Sequence, residues 1–138
     1  MSSIIPPFKG ADKRIMEMNF SDTVLAGATL CLCAGPVPFP FALSLVRMIF
    51  TDDANNWIKL NWYVCDSYQP RATTSPSGVN PFSQAGAGGG FYGVAIERVA
   101  YSNMKFAEPG KYLALLIESV SPYDYVVNAS AIATEVEP

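Results

Sequence analysis

The chain has 138 residues, 50% of them hydrophobic and 15% charged, with 9 Lys and Arg against 12 Asp and Glu. That length predicts one domain around one core, the apolar content excludes global disorder, and the absence of any basic block excludes a surface built to neutralise phosphates. No histidine is present, which excludes Ser-His-Asp and Cys-His catalysis, His-bound zinc and every imidazole base.

Residues 1–13 read as an extended arm, because Pro6, Pro7 and Gly10 interrupt them and no periodicity runs through them. Ile4, Ile5 and Phe8 are the arm's apolar side chains and candidates for lying on a neighbouring subunit. A strand is predicted over Arg14 to Phe20, where Met16, Met18 and Phe20 alternate with Ile15, Glu17 and Asn19. A second is predicted over Val24 to Ala34, apolar on both faces. From Thr23 to Val46 no residue is charged, a length that raises a membrane-spanning helix. Pro36, Pro38 and Pro40 argue against it, since each lacks an amide donor, and the segment reads as two strands joined by an extended connector. Acidic residues ahead of the apolar run also argue against a secretory signal.

A third strand covers Phe41 to Thr51 and ends at the turn-forming run Asp52 to Asn56. Trp57 to Asp66 shows a clear alternation, with Ile58, Leu60, Trp62 and Val64 inward and Trp57, Lys59, Asn61 and Tyr63 outward. That outer row sets planar rings beside hydrogen-bonding groups, a candidate face for stacking on a sugar or docking on a protein. Tyr68 and Tyr92 are further candidate rings.

Residues 69–90 are rich in Pro, Gly, Ser and Ala and form a long loop, in which Phe82 is a candidate contact to a partner. Gly88 to Gly93 matches GxGxxG but enters a strand rather than a helix, so it does not indicate a dinucleotide site. Strands resume over Phe91 to Tyr101, Lys111 to Val120 and Tyr125 to Val136, separated by turns at Glu108-Pro109-Gly110 and Ser121 to Asp124. The expectation is an all-β fold: one antiparallel β-sandwich of Greek-key or jelly-roll type, with about seven or eight strands over residues 14–138.

Cys31, Cys33 and Cys65 are an odd number without CxxC spacing and read as small buried thiols. Asp52, Asp53, Asp66 and Asp124 are the remaining catalytic or calcium-binding resource, and turn formation accounts for them more simply. No catalytic residue, cofactor or metal is assigned. Asn19-Phe20-Ser21 and Asn128-Ala129-Ser130 match glycosylation acceptors, read as chance in the absence of an export signal.

In strand pattern and acidic balance, residues 14–136 resemble small β-sandwich and jelly-roll virion proteins of the phage capsid decoration type. The resemblance implies a non-enzymatic structural protein of the virion, assembled in the host cytoplasm. It would pair with itself, as a homo-oligomer such as a trimer, or with a larger protein shell, and with neither nucleic acid nor membrane. No functional residue is carried over. Two other readings stay open: a carbohydrate-binding module stacking glycans on Trp57 and Tyr63, and a carboxylate-dependent hydrolase or lyase.

Overall fold

A computed structural model describes residues 13–50, 57–71, 76, 78–79, 81, 91–92, 97–100 and 107–136. These residues contain eight strands: β1 (Ile15–Val24), β2 (Thr29–Val37), β3 (Phe41–Phe50), β4 (Ile58–Cys65), β5 (Phe91–Tyr92), β6 (Glu97–Ala100), β7 (Lys111–Ser119) and β8 (Tyr125–Glu135). They form two four-stranded antiparallel sheets, ordered β1-β8-β3-β6 and β2-β7-β4-β5. The pairings β1 with β8, β2 with β7, β3 with β6 and β4 with β5 are nested, as if one long hairpin had been rolled up. That strand order is a jelly roll.

The alternation read in the sequence sets the inner faces. Met18, Phe20 and Val24 of β1, Val127, Ala129, Ala131 and Ala133 of β8, and Leu43, Val46 and Met48 of β3 point inward from the first sheet. They meet Leu30, Ile58, Leu60, Trp62, Leu113, Leu115 and Ile117 from the second. The alanines along the central strand β8 leave the volume that larger rings fill, and Phe20 meets Trp62 edge to face at 5.5 Å between centroids. On β3 a register shift between Leu43 and Leu45 inserts one residue and keeps both Leu43 and Val46 inward.

Two expected elements differ. The apolar run from Val24 to Ala34 is not one strand: it turns at Leu25–Ala28, where Ala28 N–H donates to the Leu25 carbonyl at 3.0 Å. Gly27 takes φ 68° there, a conformation open to glycine, so chain reversal overrides the continuous apolar pattern. The expected single strand from Phe91 to Tyr101 is two, β5 in the second sheet and β6 in the first. The uncharged segment considered as a spanning helix is strand and turn, and among the described residues no helix is long and apolar enough to cross a membrane. The arm residues Ile4, Ile5 and Phe8, and Phe82 in the long loop, lie outside the described residues.

Candidate functional site

The outer face of the second sheet is where the stacking row was expected, and it is largely covered. Asn61 is 6% exposed and its Oδ1 is buried without a hydrogen-bond partner. Tyr63 packs against a cluster of Cys31, Cys65, Ala114 and Leu116, with Cys33 and Tyr112 beside it. Lys59 forms an ion pair with Glu118 at 3.7 Å. Trp57 stands just before β4, with its ring 6.2 Å from Tyr123. The four residues of the predicted row therefore do not form an open platform. Alternation placed them on one side, but it carries no information on what lies over that side.

Part of the cover comes from the segment after β4. Val64 and Val79 exchange backbone hydrogen bonds of 2.8 and 3.0 Å, extending the β4 edge beyond its short pairing with β5. Gly78 lies so close that a Cβ there would stand 2.6 Å from the Val64 carbonyl oxygen and 2.8 Å from Cys65 Sγ. Tyr68 packs edge to face on Tyr112 at 6.0 Å, and Gln69 N–H points at Cys33 Sγ at 3.4 Å. Arg71 bonds Asp22 at 3.0 Å, and Lys111 pairs with Asp66. All three cysteines are free and share this face; Cys31 and Cys65 are buried as expected, while Cys33 is only partly buried. Burial pushes Cys31 and Cys33 up, and burial together with the two neighbouring thiols pushes Cys65 to about 11. The upward shifts favour the protonated, weakly nucleophilic form of these thiols at neutral pH.

The end of the sandwich that carries the β1–β2 and β7–β8 turns is the opposite case. Val120 N–H donates to the Trp57 carbonyl at 2.9 Å, Ser119 N–H to Ala28 at 2.9 Å, and Ala26 N–H to Asp124 Oδ1 at 2.9 Å. The buried Ser121 accepts from Tyr123 N–H at 2.9 Å and donates its own N–H to Ser119 Oγ at 3.1 Å. These bonds hold the turns together while large apolar side chains face outward: Leu25 is 59% exposed, Val120 75%, Tyr123 64% and Val126 41%. The sequence reading missed this set, because it placed Leu25, Val120 and Val126 inside strands and only Tyr123 in a turn. The signal was present in Val120-Ser121-Pro122-Tyr123, where a turn is flanked by apolar residues on both sides.

Asp124 and Asp66 are thus accounted for as a turn lock and an ion-pair partner, while Asp52 and Asp53 lie outside the described residues. Tyr92 lies in β5, and its ring is not described. Among the described residues no group of three or more Cys, Asp or Glu could hold a metal ion.

No known protein family matches the chain. No curated protein matches it either. Among solved structures it is similar to the Yersinia pseudotuberculosis-derived mitogen, at 10% identity and a TM-score of 0.41, covering 89% of this chain and 88% of that one. The jelly-roll assignment rests on the strand order itself.

Proposed function

We propose that the chain is a non-enzymatic assembly subunit, a structural protein of the virion decoration type, and that it seats its turn-bearing end on another protein chain. The observation that carries this is the exposed set Leu25, Val120 and Tyr123 on turns already fixed by hydrogen bonds, with Val126 beside them at the start of β8. A surface fixed beforehand loses little conformational entropy on docking. Burying the exposed parts of these four side chains contributes roughly 4 to 7 kcal/mol, near the lower end of the roughly 4 to 15 kcal/mol that association costs. One such contact is weak, and repetition over a lattice or ring multiplies it, which suits a subunit that works in many copies.

Light scattering and sedimentation on purified protein test this. The expected result is concentration-dependent association of the wild type, or its capture on protein shells. A Val120→Ser/Tyr123→Ser variant should lose that association while its β-sheet circular dichroism is unchanged. A wild-type chain that stays monomeric at high concentration and binds no shell overturns the proposal.

A further inference from the structure

Two tripeptides of one pattern, Asn19-Phe20-Ser21 and Asn128-Ala129-Ser130, are neighbours in space. In the antiparallel pairing of β1 with β8, Asn19 faces Ser130 and Ser21 faces Asn128, so the two tripeptides form a two-fold quartet of carboxamides and hydroxyls. Phe20 and Ala129, the middle residues, point into the core and fix the quartet to the sheet. The Ser21 hydroxyl donates to Asn128 Oδ1 at 2.6 Å, which leaves the Asn128 amide N–H groups to donate elsewhere. On the far side of β8, strand β3 sets Arg47 beside Ser130 and Ile49 beside Asn128. Glu17 stands on β1 two residues before Asn19, and together these side chains line a hollow of about 260 Å³ on the outer face of the first sheet.

We propose that this hollow binds one pyranose ring of a saccharide, a site separate from the docking end. Carboxamides and hydroxyls both donate and accept, as sugar hydroxyls do, so a ring can exchange hydrogen bonds with them in either sense. Directly opposite residues on paired strands stand about 4.5 to 5.5 Å apart, a spacing that lets neighbouring hydroxyls of one ring engage both strands. The flanking charges are one carboxylate, Glu17, and one guanidinium, Arg47, so the lining has no net charge and suits a neutral ligand. Ile49 adds an apolar surface for the C–H face of the ring. The volume lies below the roughly 300 to 1,000 Å³ of drug-sized sites, as a single ring requires.

The test is a ¹⁵N–¹H NMR titration of the full chain with D-glucose, D-galactose and N-acetyl-D-glucosamine in turn, following the side-chain amides of Asn19 and Asn128. At least one sugar should give saturable shifts of both amides, with a Kd of about 1 to 10 mM as expected for a ring of roughly a dozen heavy atoms. A Ser21→Ala/Ser130→Ala variant, monitored through the same amides, should bind that sugar about tenfold more weakly. An Asn19→Leu/Asn128→Leu variant, checked for fold by circular dichroism and monitored through the backbone amides of β1 and β8, should lose binding. Absence of saturable shifts with all three sugars overturns the proposal, and so does equal affinity in the hydroxyl-free variant.

Discussion

The outer faces of the two sheets are built by the same alternation and end in opposite states. On the first sheet the central strand β8 presents Asn128, exposed, between Ser21 and Ile49. On the second the central strand β7 presents Leu116, 2% exposed, between Cys31 and Asn61. Each residue occupies the middle row of a sheet, so strand position does not explain the difference. Cover does: Asp66, Tyr68, Gln69 and Val79, described residues that follow β4, are tied to β2, β4 and β7, whereas the Asn/Ser face is open to solvent. A sandwich whose inner faces are already paired can therefore use one outer face for recognition and close the other into a second small core.

The largest effect expected from breaking this contrast comes from placing a charge in both middle rows. Leu116→Asp strands a carboxylate in the covered cluster and should cost about 3 kcal/mol or more in urea unfolding, whereas Asn128→Asp on the open face should stay within about 0.5 kcal/mol. Equal losses would mean that the two faces are equally packed. Next comes Gly78→Ala, whose new Cβ meets the Val64 carbonyl and Cys65 Sγ at distances no real contact tolerates. The covering segment has to shift, at about 1 to 3 kcal/mol, and the rate at which Cys65 reacts with a thiol reagent should rise. An unchanged rate would show that this segment does not protect the thiol.

The smallest effect is a difference in sign with pH. Arg14 holds Glu135 down to about 2 through a bidentate contact at 2.8 and 3.2 Å, and its guanidinium also lies 4.8 Å from the Phe39 ring centroid. A folded value below the ordinary 4.5 means that this end of the first sheet is stabilised above 4.5 and loses that contribution as pH falls toward 2. Cys65 has the opposite sense: its folded value of about 11 lies above the ordinary 9, so the second sheet loses stability as pH rises from 9 to 11. Melting temperature against pH should accordingly lose part of its acid-side slope in Glu135→Gln and part of its alkaline slope in Cys65→Ala. A profile unchanged by either substitution contradicts the assignment of that slope.

Much of the fold was legible in the chain. Met16, Met18 and Phe20 announced the inward row of β1, and Ile58, Leu60 and Trp62 that of β4, because burial on one face imposes a period of two on side-chain polarity. The turn at Pro109 and Gly110 and the starts of β7 and β8 also followed from composition. The boundary at Leu25–Ala28 was hidden, since an apolar run looks the same whether it passes straight through a core or reverses at its edge. The faces proposed for binding were least legible. Lys59, Asn61 and Tyr63 were correctly placed opposite Ile58, Leu60 and Trp62, yet Asn61 proved buried, and Leu25 and Val120, expected within strands, lie just beyond strand ends.

The sequence by itself determined that the chain is all-β, that it alternates into a sandwich, and that it has no imidazole chemistry, because these follow from residue type and near-neighbour spacing. Only the tertiary structure decided that β1 lies on β8, that Ser21 reaches Asn128 across 107 positions, that three cysteines share one covered face, and that Leu25 and Tyr123 stand at one exposed end. Those facts depend on the register between distant strands and on which segment crosses which face. Neither is written in the local period of the chain, because alternation distinguishes two sides of a strand without saying what will meet them.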